Sequence, residues 1–250
     1  QHRKGQVMRI LVIGESCKDV FHYGECNRLC PEAPVPVFNS TEITENEGMA
    51  KNVQRNLVSL GCDTALHTND NWEEVTKTRF IDSRVNHMFM RLDVNDNKIS
   101  RANVRNIDFS LYDAIVVSDY NKGFLLEEDI KYISEQSSCT FLDTKKQLGE
   151  WCSKIKFIKI NNIELEKSRK YITQEIYDKT IITHGKSGAS HDNISYPVEE
   201  VEIKDTSGAG DTFLAGLVCK YLESDSIEVA IPFANSCATS VVQKKGVSTV

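Results

Sequence analysis

The stretch Asp205-Thr206-Ser207-Gly208-Ala209-Gly210-Asp211-Thr212-Phe213 sets two glycines two apart, then an acid, just ahead of an apolar run. Glycine lets a backbone turn sharply and lets a ligand approach it closely. A helix that opens there directs the free N–H groups of its first turn, and the positive end of its dipole, at an anion. That arrangement stabilises charge on a phosphoryl group in transfer. A carboxylate at the helix start, Asp211, can take the proton of an attacking hydroxyl. An Asp standing alone in a first helical turn would carry no such meaning, because acids are favoured there anyway. The surrounding Gly-Ala-Gly and Thr-Phe decide for the chemical reading. No Gly-Lys-Ser/Thr follows, so this is not a Walker loop, and the Gly-x-Gly-x-x-Gly spacing of a dinucleotide site is absent.

Such a turn needs a helix after it. Asp211–Leu222 is expected as that helix and Ile231–Val242 as the next, with small residues on one face. Earlier, Arg9–Gly14 reads as a buried strand, and Ala50–Leu60 as a helix ending at Gly61. Ala114–Val117, Thr140–Leu142, Phe157–Ile160 and Thr180–Thr183 read as short buried strands, and Leu126–Ser134 as a helix. Alternating strands and helices predict an α/β fold with a mostly parallel sheet covered on both faces. Polar residues cluster at the strand ends: Gly14-Glu15, Ser118-Asp119, Asp143, Asn161 and Thr183. Ligands of open α/β sheets bind beyond those ends. Residues 31–38 hold three prolines and are excluded from a central strand. Segments 18–45 and 78–93 interrupt the alternation and are expected to form a small β lid.

The 250 residues carry a net charge of −6 and are 40% hydrophobic, which suits one large α/β domain and gives no basic footprint for nucleic acid. No apolar run reaches the roughly 18 residues of a membrane span. Eight cysteines show no C-x-x-C pair, so reduced thiols in a cytoplasmic protein are expected rather than disulfides or zinc. Residues 1–7 read as an addition ahead of a natural start at Met8, leaving 8–250 as the domain.

The signature at 205–213 resembles that of the ribokinase-like (PfkB) carbohydrate kinases. Gly14-Glu15-Ser16-Cys17-Lys18-Asp19, Tyr23-Gly24 and Pro31-Glu32-Ala33-Pro34-Val35-Pro36-Val37 resemble the start of the bacterial D-glycero-D-manno-heptose-7-phosphate kinases, the kinase half of a bifunctional ADP-heptose synthesis enzyme. The likeness runs on through Ser118–Gly123, Asp143-Thr144-Lys145 and Lys245–Val250. It implies a three-layer ribokinase-like sandwich and transfer of the γ-phosphoryl of ATP to the anomeric hydroxyl of heptose 7-phosphate. It also implies an anion hole at Gly208, Ala209 and Gly210 with Asp211 as base. Asp19, Gly48 and Asn52 would contact the sugar. Lys77, Arg79 and Arg91 could pair with its phosphate, Lys122 could neutralise phosphate charge, and Asp119 would stand with Lys122 at the substrate rim. Asp143, Lys145, Asn161, Thr183, Gly185, Gly188 and Asn235 would line the nucleotide site. Glu164, after Asn161, would organise Mg²⁺. A homodimer through the lid is implied as well, and a dependence on a monovalent cation stays open.

The sequence departs from that pattern where the sugar should sit. Gly48-Met49 stands for paired glycines, and Lys51 replaces a small residue. Glu15 stands for an Asp, Thr144 for a Pro, and the chain between Asp70 and Lys77 is short. Alternatives therefore stay open: a related kinase for another sugar, or a sugar-phosphate or nucleotide sensor that binds without turnover.

Overall fold

A computed structural model describes residues 8–250, so the reading of residues 1–7 lies outside it. Its main sheet has eight strands: β1 (Arg9–Gly14), β4 (Asp63–His67), β7 (Ala114–Asp119), β8 (Thr140–Thr144), β9 (Phe157–Asn161), β10 (Thr180–Thr183), β11 (Ala189–His191) and β12 (Ile194–Tyr196). Their order is β12-β11-β10-β9-β8-β7-β1-β4. Pairing is parallel from β4 to β10, and β11 and β12 continue antiparallel.

The apolar strand runs follow from burial on both faces. Ile10, Val12, Ala114, Val116 and Phe141 face one core, packed under α1 (Ala50–Ser59), α5 (Ala209–Ser224) and α6 (Ile227–Val242). Leu11, Ile13, Ile115, Val117 and Leu142 face a second core with Ile130 and Ile133 of α2 (Glu127–Gln136). The short helices α3 (Asn162–Ser168) and α4 (Gln174–Asp178) follow β9. The result is the ribokinase-like three-layer arrangement.

A second sheet of order β3-β2-β5-β6 holds β2 (Ser16–Leu29), β3 (Pro36–Met49), β5 (Thr76–Asp82) and β6 (His87–Val94). Segments 18–45 and 78–93 fall in these strands and their turns. The proline-rich stretch enters β3 at Pro36, and β3 is an edge strand, where missing ladder donors cost least. β6 is the other edge, and all eight of its residues are exposed.

Two helix starts differ from the sequence expectation. α5 begins at Ala209 rather than Asp211, because Gly208 takes the left-handed conformation (φ 78°) and Thr212 N–H already bonds its carbonyl at 2.9 Å. α6 begins at Ile227 rather than Ile231. Ser226 caps it by accepting from Val229 N–H, and Pro232 lies inside the helix. All eight cysteines are free thiols. No helix among the described residues is long and apolar enough to cross a membrane.

Candidate active site

The turn before α5 is built by its own side chains. Asp205 accepts from Ser207 N–H at 2.8 Å and from Gly246 N–H at 3.2 Å, which ties the turn to the C-terminal segment. Gly208 is obligatory on two counts. Its φ is positive, and a Cβ there would stand 2.6 Å from Asn52 Nδ2. Since α5 starts at Ala209, Asp211 is its third residue, and the amides of Gly210 and Asp211 have no partner among the described residues. These are the orphan donors of a helix N-terminus.

Asp211 is buried, at 4% exposure. Asn52, on α1, donates to its Oδ2 at 3.0 Å, and the Tyr120 hydroxyl donates to its Oδ1 at 2.6 Å. Burial raises the Asp211 pKa to about 6, with Asp143 adding to the rise, against the pull of Asn52, Tyr120 and Lys159. A carboxylate so placed is ionised at neutral pH yet basic enough to take a proton.

The turn borders a cavity of about 450 Å³. Gly208, Ala209, Gly210 and Asp211 line it together with Asp143, Lys145, Asn161, Thr183, Gly185, Gly188 and Asn235. Every residue expected at the nucleotide thus shares one cavity wall with the Gly208–Gly210 turn. Gly185 and Gly188 both have positive φ on the turn after β10, and Asn235 is anchored by donating to Tyr196 O at 2.8 Å.

Lys159, which the sequence reading missed, also lines this cavity. Its ammonium bonds Asp143 Oδ2 at 2.7 Å, and a Cβ on Gly210 would lie 3.0 Å from it. With no Cβ on Gly210, the ammonium rests close against this turn. In the sequence Phe-Ile-Lys-Ile-Asn, a lysine in a strand reads as a solvent-facing residue. The one available signal was its place two residues before Asn161, at the rim.

Glu164 lies outside the cavity lining. Its Oε2 accepts from Asn161 N–H at 2.8 Å, and its Oε1 accepts from Asn161 Nδ2 at 3.0 Å and Lys145 Nζ at 2.5 Å. The capping box and the ion pair engage both of its oxygens, which places Glu164 to orient Asn161 and Lys145 at the cavity rim. Asp143 instead keeps a buried Oδ1 with no hydrogen-bond partner, Lys145 Nζ standing 3.9 Å away. Among the described residues no three acids, histidines or cysteines gather as a metal cage. A single free carboxylate oxygen fits Mg²⁺, which keeps most of its waters and arrives on phosphates. Burial would lower the Lys145 pKa, but Asp143 and Glu164 raise it, so this cation stays charged.

The residues expected at the sugar are placed less simply. Asp19 is buried on β2, paired with Arg79 at 2.5 Å, and close to Gly48, where a Cβ would meet its Oδ2 at 2.1 Å. Asn52 donates to Asp211 and accepts from Asn56 Nδ2 through its Oδ1, so it supports the carboxylate from α1. Lys77 is buried on β5, with its ammonium 3.2 Å from Met49 Sδ and 5.2 Å from the Tyr120 ring, and no carboxylate among the described residues pairs with it. Three others are engaged elsewhere. Asp119 is locked to Lys146 at 2.9 Å and to the Thr144 hydroxyl, so the Pro-to-Thr departure provides a clasp between strand ends. Lys122 pairs with Asp96, and Arg91, half exposed on β6, pairs with Asp93 at 2.7 Å. The departures also resolve in part. Lys51 turns to Glu47 at 3.0 Å and to the Trp72 ring at 4.0 Å, so its charge is spent on an outer contact. Met49 is buried against Cys17, Val75 and Tyr120, at φ 60° and ψ −130°, a conformation that strains any residue but glycine.

Residues 63–250 match the pattern of the pfkB family carbohydrate kinases. The chain belongs to that family. Among its relatives, the bifunctional protein HldE of Helicobacter acinonychis is 29% identical over 293 residues, covering 95% of this chain and 63% of its own length. The bifunctional protein HldE of Helicobacter pylori strain J99 is 30% identical with the same coverage. The chain therefore spans about 63% of the relatives it matches. Among solved structures, ribokinase of Thermotoga maritima superposes with a TM-score of 0.71 at 14% identity, covering 96% of this chain and 94% of that one. Phosphofructokinase-2 of Escherichia coli, in complex with potassium, gives 0.70 at 15%, covering 96% and 94%. At such identities these structures speak to the fold alone. As a pfkB family carbohydrate kinase, the chain is an ATP-dependent sugar kinase.

Proposed function

We propose that this kinase phosphorylates the anomeric hydroxyl of heptose 7-phosphate, giving the 1,7-bisphosphate. The observation that carries the reading is the union of a buried carboxylate, free helix-start amides and a nucleotide-sized cavity at one turn. The sugar oxygen attacks the γ-phosphorus of ATP, the bond to the β-phosphate oxygen breaks, ADP leaves and the hydroxyl proton passes to Asp211. The amides of Gly210 and Asp211 and the Lys159 ammonium stabilise the negative charge. Asp143 would hold Mg²⁺, which supplies charge neutralisation to the phosphates. On β5, Lys77 and Arg79 offer cations to a phosphorylated sugar.

A different sugar is favoured by one observation: Met49 fills space beside Lys77 and Tyr120 where a glycine is expected. ADP release from ATP and Mg²⁺ with heptose 7-phosphate, fructose 6-phosphate and ribose separates the readings. Heptose 7-phosphate is expected to give the highest kcat/KM. Preference for another sugar would replace it, and tight ATP binding without turnover on any would favour a sensor.

The same reading sets a pH dependence. Asp211 must be ionised to accept the proton, and its pKa is raised to about 6. Activity is therefore expected to be full above pH 7 and to fall as pH drops through about 6, measured as kcat/KM against pH. An acid limb near pH 4 would contradict it.

The second sheet is proposed to act as a lid that excludes water from the site and as a dimer contact. β6 is an exposed edge carrying Met88, Phe89, Met90 and Leu92 at 41–54% exposure. Exposed apolar edges are liabilities unless covered. Sedimentation velocity is expected to show a homodimer that dissociates in Leu92→Asp; a wild-type monomer at tens of micromolar would refute the contact.

A further inference from the structure

Tyr120 has no role in the transfer as described, yet it makes the shortest contact to the base, 2.6 Å from its hydroxyl to Asp211 Oδ1. Its placement is over-determined. Glu15, fully buried, accepts from Tyr120 N–H at 2.9 Å through Oε2 and from Lys122 N–H at 2.8 Å through Oε1, so one carboxylate staples the turn that follows β7. The ring lies between two ammonium groups, Lys77 at 5.2 Å and Lys145 at 5.6 Å, a cation–π arrangement on the cavity wall.

We propose that Tyr120 is a positioning residue of the phosphoryl transfer: its hydroxyl fixes Oδ1 of Asp211 and holds that carboxylate in its ionised form. This inference rests on the reading of Asp211 as the base. The Tyr120 hydroxyl stays protonated, because burial, Asp211 and Asp143 all push its pKa well above the usual value. It can therefore only donate towards the carboxylate. A donor to the ionised form favours that form, and it works alongside Asn52 of α1 on the other oxygen. The charged and titratable groups around the pair come from several elements. They are Asp143 of β8 and Lys159 of β9, Lys145 beyond β8, Cys17 of β2 and Lys77 of β5. Asp143 and burial favour the protonated acid, whereas Lys159 opposes them. Tyr120 and Asn52 thus keep a buried acid usable as a base at neutral pH. Glu15 explains its own departure from the family pattern in the same terms, since it clamps the turn from which the tyrosine reaches.

Tyr120→Phe keeps the ring and its two cations and deletes only the donor. The test pairs the pH profile of kcat/KM with a carbon-13 titration of the Asp211 carboxyl, assigned by its loss in Asp211→Asn. Both are expected to move upward together by about one to two pH units, the size of one hydrogen bond to a buried charge. The plateau kcat at high pH is expected to stay within about tenfold, as a retained base requires. A carboxyl titration unmoved in Tyr120→Phe, or one that moves while the rate profile does not, overturns the inference and leaves the assignment of Asp211 standing. Failure of the underlying reading shows separately, as absence of wild-type turnover at every pH, and removes both.

Discussion

Asp211→Asn is expected to lower kcat by about 10²–10⁴-fold while leaving ATP affinity within a few-fold. The amide is nearly isosteric, so the contacts with Asn52 and Tyr120 change polarity but not shape. The free amides of the first turn remain, and with them the anion hole. Only the proton acceptor is lost. Steady-state rates with saturating sugar phosphate, together with nucleotide titration calorimetry, separate the two effects. Unchanged kcat would mean that the acceptor hydroxyl loses its proton elsewhere.

Lys159→Met is expected to reduce kcat by about 10²–10³-fold, the usual cost of one preorganised charge-stabilising group. The physical basis is contact: the ammonium lies against Gly210 in the cavity and bonds Asp143. The single variant also strands a buried carboxylate, which costs about 3–5 kcal/mol of stability. Lys159→Met combined with Asp143→Asn restores a neutral pair and is expected to melt near the wild type, but it also removes the carboxylate placed at Mg²⁺, so the rate is read in the single variant well below its melting temperature, with ATP affinity measured alongside. An unchanged kcat in folded Lys159→Met would reduce Lys159 to a structural partner of Asp143.

These two residues also mark how far the sequence could be read. Asp211 was legible because its neighbours constrain it. Gly208 is required by a positive φ and by the pressure of Asn52, and such a requirement leaves a mark in one dimension. The parallel sheet was legible for a similar reason, since strands buried on both faces print as apolar runs. Lys159 left no such mark, because its partner Asp143 is 16 residues away on the neighbouring strand. Asp119 and Glu164 show a second kind of information that only the fold holds. Both are acids at strand ends, but Lys146 and Asn161 claim their oxygens, and only the fold shows which acids are already engaged. The same holds for Lys51, whose partners Glu47 and the distant Trp72 only the fold reveals. The helix start at Ala209 matters more than its two-residue shift implies. It makes Gly210 and Asp211 first-turn residues, with amides free for a phosphate.

Asp143 connects the two expected results. Its Oδ2 is tied to Lys159, its Oδ1 has no hydrogen-bond partner, and its charge raises the pKa of Asp211. One carboxylate thus links the cation at the anion hole, the place for a metal ion and the basicity of the acceptor. Substitutions at Asp143 and Asp211 are in consequence expected to combine non-additively.

Phosphorus-31 spectroscopy of the wild-type protein with ATP, Mg²⁺ and heptose 7-phosphate tests the central claim most directly. The account predicts a new anomeric phosphate signal that grows in step with ADP and is nearly abolished in Asp211→Asn. ADP that accumulates without any phosphorylated sugar, or a product signal undiminished in that variant, would contradict it.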